Sequence, residues 1–230
     1  MKWNVNSLVI EVTRRCNMGC AHCLRGEAQN INIDTRYIER LLDEVNSIGT
    51  ITFSGGEPSL NVNAIQMALL ACEKRNIWVG KFFIATNGKD NILPLLHECI
   101  KWYAYTEEQD MNMLCLSTDI YHEDIDPIHL RLLKSMSFFD DQCKHNESYK
   151  YGLINEGRAK NLHTLKREAD SCLEIDFDNQ TVDGDLYLSA NGDIKTCCDV
   201  AFDNDRFTIG NIATTSLSEA IISTMETLPV

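Results

Sequence analysis

The sequence predicts an α/β protein: a partial, open barrel of five or six βα units with parallel strands, followed by a small C-terminal β-hairpin and helix module. Three observations predict it. Short runs rich in β-branched and aromatic residues alternate with amphipathic helical segments, the pattern of a parallel sheet crossed by helices. Unusual polar or glycine-rich segments stand at the C-terminal ends of successive strand-like runs, the edge where α/β sheets bind ligands. From about Asp183 the alternation gives way to Asp185–Ser189 and Asp193–Cys197 around Ala190-Asn191-Gly192, and Asn-Gly between alternating runs signals a hairpin. A closed barrel of eight units needs about 250 residues. The 230 residues here fit five or six units plus the module, divided as 1–180 and 181–230.

The elements follow in order. Leu8–Thr13 reads as a buried strand. Asp34 is placed to cap a helix carrying Ile38, Leu41, Leu42, Val45 and Ile48, which Gly49 ends. Thr50–Ser54 is the second strand, and a helix from about Asn61 to Arg75 follows. Lys81–Thr86 is the third strand, and Ile92 to Tyr103 forms a helix with a clear apolar stripe. Leu114–Thr118 is the fourth strand and Ile128–Met136 the fourth helix. Tyr149–Asn155 and Ser171–Phe177 are read as strands five and six. Phe207–Ile212 and a helix over Ser216–Leu228 complete the module.

Composition narrows the function. Hydrophobic content of 44% and charged content of 24% are ordinary for a soluble globular protein. No apolar run approaches the roughly 18 residues that span a bilayer, and Met1-Lys2-Trp3-Asn4 does not open a signal peptide. A cytoplasmic location is expected, where thiols stay reduced. The net charge of −13 opposes nucleic-acid binding, and Arg158, Lys160, Lys166 and Arg167 are read as a solvated helix face. Of the ten cysteines, Cys72, Cys99 and Cys115 sit in apolar segments and are expected to pack as small hydrophobes.

Chemistry concentrates in Cys16-Asn17-Met18-Gly19-Cys20-Ala21-His22-Cys23, spaced C-x3-C-x2-C after the first strand. Three thiolates can hold three irons of a [4Fe–4S] cluster and leave the fourth open. An open position marks a catalytic metal site rather than a closed structural one. Structural zinc wants four ligands, usually from paired knuckles, and no second C-x2-C exists; His22 beside Cys23 is an awkward fourth ligand. A disulfide reading would need an oxidising compartment.

On this motif, the sequence resembles the radical SAM family. The resemblance implies that Cys16, Cys20 and Cys23 ligate the cluster and that its open iron binds the amino and carboxylate groups of S-adenosylmethionine (SAM). It further implies reductive cleavage of SAM to a 5′-deoxyadenosyl radical that takes a hydrogen atom from a substrate. The family usually has an aromatic residue beside the adenine just before the third cysteine; here that position is His22. Gly55-Gly56-Glu57-Pro58 resembles the family's GGE motif, where backbone carbonyls and a carboxylate accept hydrogen bonds from the SAM ammonium. Asn87, Ser117 and Asp119 resemble positions that contact the ribose and carboxylate, and Arg158 is a candidate clamp for the SAM carboxylate. Tyr121 and His122 form a polar cluster with Asp119. Such enzymes imply a one-electron reducing partner such as flavodoxin or ferredoxin.

The tail, with Gly192-x4-Cys197, Cys198, Cys172 upstream and Gly210-Asn211 downstream, resembles the start of SPASM or twitch modules, which carry auxiliary clusters in many peptide-modifying relatives. The later C-x2-C of that pattern is absent, so the module is read as a reduced, cluster-free relative that caps the open barrel or contacts substrate. A peptide or protein substrate is therefore expected, with a small metabolite as the rival. A glycyl-radical-enzyme activase and a non-catalytic iron–sulfur or zinc protein are the alternatives.

Overall fold

A computed structural model describes residues 1–118, 120–140 and 152–227. Its centre is a nine-stranded sheet. Strands β1 (Trp3–Thr13), β2 (Val45–Gly55), β3 (Trp78–Thr86), β4 (Met113–Leu116) and β5 (Phe139–Asp140) lie side by side in parallel. Helices α1 (Thr35–Leu42), α2 (Val62–Arg75), α3 (Ile92–Tyr105) and α4 (Pro127–Lys134) connect them. Among the described residues the order runs open from β5 to the far edge, so the barrel is partial, as expected from the number of units.

Three expectations need correction here. The helix begun by Asp34, which accepts a hydrogen bond from the Arg36 backbone N–H, ends at Leu42, and Val45 and Ile48 belong to β2. Their spacing mimics a helix, but β1 begins at Trp3 and offers them a partner: Trp3 pairs Val45 and Val5 pairs Ile48. Polar side chains hold this extension together, with Asn4 bridging Asn46 and Ser47 at 2.9 and 2.8 Å. The fifth parallel strand is Phe139–Asp140. The segment expected in its place supplies only β6 (Leu153–Ile154), paired with β7 (Lys166–Arg167) in a separate two-stranded sheet. Residues 149–151 of that expectation lie outside the described residues. Arg158 and Lys160 sit in a short 3-10 turn and Lys166 and Arg167 in β7, so the basic group is not a helix face.

The C-terminal segment does not stand apart from the sheet. Strand β9 (Thr181–Leu188) pairs in parallel with β1 from Asn4 against Thr181 to Ile10 against Leu188. Strand β10 (Asp193–Lys195) returns antiparallel to β9 through the Asn191-Gly192 turn, and β11 (Thr208–Asn211) pairs with β10. β8 (Glu174–Asp176), expected as the sixth strand, is antiparallel to β9, and α5 (Leu217–Thr227) closes the chain.

The main apolar core runs from Trp3 and Leu41 to Trp102, Leu186 and Leu217, all fully buried, and a smaller cluster gathers Ile154, Ala169, Cys197 and Val200. Each such large side chain contributes about 1.5–3 kcal/mol by leaving water. Cys72, Cys99 and Cys115 are buried as expected. No helix among the described residues is long and apolar enough to cross a membrane.

Candidate active site

The site grows from the ends of β1 and β2. Thr13 lies opposite Gly55, and the chain then enters the cysteine loop. The two segments share backbone hydrogen bonds: Gly56 donates to Thr13 and Glu57 to Arg15, each at 2.8 Å. Such an approach leaves no room for a side chain. A Cβ on Gly55, which has φ of +139°, would stand 2.0 Å from the Thr13 carbonyl oxygen, and one on Gly56 2.2 Å from that of Arg15. Both glycines are thus required by the contact between strand end and loop.

Glu57 is 2% exposed. Its carboxylate accepts from the Thr86 hydroxyl at 2.6 Å and from the backbone N–H groups of Ser59 and Asn87 at 3.1 and 2.8 Å. Burial nonetheless pushes its pKa above the ordinary carboxylate value. Three of about four acceptor positions are used, leaving one for a ligand. The Asn87 amide donates to Asn17 in the cysteine loop at 2.8 Å, which ties the end of β3 to the loop.

Inside the loop, Cys23 donates its N–H to the Cys20 carbonyl at 3.2 Å, and its own carbonyl accepts from the Arg158 backbone N–H at 2.9 Å. Cys16, Cys20 and Cys23 are half-buried and take part in no disulfide among the described residues. Burial is the main influence on Cys16 and raises its pKa. The His22 ring stacks on Tyr121 with centroids 4.7 Å apart and meets His122 edge-on at 5.1 Å.

A cavity of about 590 Å³ joins these parts. It is lined by the three cysteines and His22, by Gly55, Gly56 and Glu57, and by Asn87, Ser117 and Arg158. The structure therefore brings together every candidate site residue except Asp119, which lies outside the described residues. Three soft thiols lining one cavity suit iron–sulfur ligation. Among the described residues no three His, Cys, Asp or Glu side chains converge on a point for one metal ion; a cubane sets its thiolates apart on separate iron corners. The Arg158 Nε is buried without a hydrogen-bond partner among the described residues, a cationic donor suited to an anionic ligand. The residues fit a cluster with a bound carboxylate.

The model of the Radical SAM superfamily matches residues 10–141, more than half of the chain. The chain belongs to the radical SAM superfamily. Members of that superfamily use a [4Fe–4S] cluster and SAM. The chain is 36% identical over 87 residues to the Fe-coproporphyrin III synthase of Methanosarcina barkeri, covering 35% of this chain and 21% of that one. It is 32% identical over 68 residues to an uncharacterized protein of Methanocaldococcus jannaschii, covering 28% and 24%. The matches thus span about a quarter or less of these relatives' length. A solved structure of anSMEcpe with bound AdoMet superposes with a TM-score of 0.54 at 16% identity, covering 96% of this chain and 82% of that one, a likeness of fold.

Sequence reasoning missed a second set of residues around the radical SAM motif. Glu11, Arg14 and Tyr187 are buried at 1%, 2% and 1% exposure, and Arg25 lines the cavity. The one signal was an acidic residue inside the apolar run Leu8–Val12, a position that a charge occupies only when paired.

Proposed function

We propose that this enzyme acts on a residue of a peptide or protein admitted to the cavity. In this reading Cys16, Cys20 and Cys23 hold the cluster, and the carbonyls of Gly55 and Gly56 with the Glu57 carboxylate receive the SAM ammonium. Asn87, Ser117 and Asp119 hold the ribose or carboxylate, Arg158 faces the carboxylate, and His22 lies against the adenine. When bound, the cluster and SAM supply a 5′-deoxyadenosyl radical that removes a hydrogen atom from the substrate. The chain's part is to orient the reactants and exclude water. A low-potential reducing protein, such as flavodoxin or ferredoxin, supplies the electron.

The observation that carries this reading is the shared cavity, which holds all three thiols together with Glu57, Asn87, Ser117 and Arg158. Residues 181–230 are taken as a cluster-free module that caps one side of the barrel. The cysteines support that: Cys172, upstream of the module, is exposed, Cys197 within it is buried, and the Cys198 thiol donates to Asp185 at 3.1 Å. Cys198 and Asp185 also line the cavity, so the module contributes wall to the substrate space. A structure of the neighbour anSMEcpe is described with AdoMet and a Cp18Cys peptide, which adds to the peptide reading.

Isotope transfer tests it. The reconstituted, reduced enzyme is given SAM with either a uniformly deuterated tryptic peptide pool or a deuterated pool of small metabolites. Deuterium in 5′-deoxyadenosine from the peptide pool is the expected result. Transfer from the metabolite pool alone would overturn the peptide assignment.

A further inference from the structure

The cysteine loop is flanked by two arginines, Arg14 two residues before Cys16 and Arg25 two residues after Cys23. Both reach the C-terminal segment. Arg14 donates from Nε to Glu11 at 2.6 Å and lies with its guanidinium 5.1 Å from the Phe202 ring centroid. The other carboxylate oxygen of Glu11 accepts a short hydrogen bond from the Tyr187 hydroxyl. The Tyr187 ring in turn carries the Arg25 guanidinium, 5.0 Å from its centroid. Arg25 also donates to the Val200 carbonyl at 2.8 Å and to Ser54 at 3.3 Å, while its own carbonyl accepts from the Phe202 N–H at 3.1 Å. Arg14, Glu11 and Tyr187, all buried, and half-buried Arg25 thus form a chain of contacts across the neck of the loop, with Phe202 touching both ends.

We infer that Tyr187 is a positioning residue for the cysteine loop, acting through Arg25 on one side and through Glu11 and Arg14 on the other. The inference rests on the reading of Cys16, Cys20 and Cys23 as cluster ligands. Attachment of the C-terminal segment does not depend on this side chain, because β9 is already held to β1 by its backbone ladder. Buried ion pairs add little net stability relative to apolar packing, but they admit few geometries. What Tyr187 supplies is therefore the relative placement of the two ends of the loop, and with it the directions of the three thiols. Residues outside the ligand set act in this way in other metal sites by orienting what holds the metal.

The test uses the full chain, anaerobically reconstituted, as wild type, Tyr187→Phe, Tyr187→Leu and Leu217→Ala. Leu217 is fully buried in α5 and does not line the cavity, so its variant reports general destabilisation alone. Iron content, SAM affinity, melting temperature and the electron paramagnetic resonance spectrum of the reduced cluster with and without SAM are measured. Tyr187→Phe keeps the ring under Arg25 and removes the bond to Glu11; Tyr187→Leu removes both. The expected result is a SAM-induced spectral change altered slightly in Tyr187→Phe and strongly in Tyr187→Leu, with SAM affinity lower by about tenfold in the latter. Leu217→Ala, at an equal loss of melting temperature, retains the wild-type response. Wild-type spectra in both Tyr187 variants, or the same spectral change in Leu217→Ala, would overturn the inference. If Tyr187→Leu does not fold, the isosteric Tyr187→Phe decides on the same criteria. A wild type that takes up no cluster would instead refute the ligand reading on which the inference stands.

Discussion

The Glu57 carboxylate accepts a hydrogen bond from the backbone N–H of Asn87 at 2.8 Å, joining the end of β2 to the end of β3 across the edge where the cysteine loop sits. The carboxylate is one of the pieces that build the site as well as a group that faces a ligand. Because burial raises its pKa, the folded protein holds a proton that the unfolded chain, at about 4.3, has already released. The sign follows from linkage: this group's stabilising contribution is present below the unfolded value and is lost as pH rises through the folded one. Urea unfolding of the apoprotein between pH 4 and 7 is expected to show that decline, and Glu57→Gln is expected to flatten it.

Removing Glu11 leaves the Arg14 charge buried without its principal partner. Glu11→Ala is expected to cost about 3–5 kcal/mol, the usual penalty for breaking one side of a buried pair. Urea unfolding at pH 7 measures it, with Asp34→Ala, the loss of a helix cap worth about 1 kcal/mol, as the comparison.

A methyl group at Gly56 would overlap the Arg15 carbonyl, so Gly56→Ala must move the first residues of the cysteine loop away from β2. The expected outcome is a protein that folds, at a cost of about 1–3 kcal/mol, but retains less iron after reconstitution and desalting than the wild type. Iron and sulfide analysis checks it.

Much of this architecture is legible in the chain because local pattern and tertiary role agree. Leu8–Thr13, Ile92–Tyr103 and the Asn191-Gly192 turn each carry a period or a turn signal that the final packing uses. The misread parts are those where distant partners decide. Val45 and Ile48 lie in a strand because Trp3 and Val5 stand opposite, 42 or more residues away in sequence and preceded by polar residues whose bonding no local pattern reveals. The cysteines, glycines and Glu57 are readable because their spacing is a motif. Tyr187 and Arg25 are not, since their pairing arises only when β9 docks beside β1.

Burial and the neighbouring Asp185 hold the Cys198 thiol well above its ordinary pKa, so at pH 8 it is a thiol rather than the reactive thiolate. Asp185→Asn removes the anion and lowers that pKa toward the ordinary range. Alkylation of Cys198 by iodoacetamide in the cluster-loaded protein is expected to quicken by about tenfold, one pKa unit of thiolate. Peptide mass mapping reads the rate against exposed Cys172 as internal reference.

The most direct measurement is nucleoside release by the anaerobically reconstituted chain. The protein should carry about four irons and, with dithionite and SAM, form 5′-deoxyadenosine, while replacement of Cys16, Cys20 or Cys23 by Ala should abolish both. A wild type with a fully loaded cluster that binds SAM and releases no 5′-deoxyadenosine under dithionite would contradict the assignment of radical chemistry to this loop.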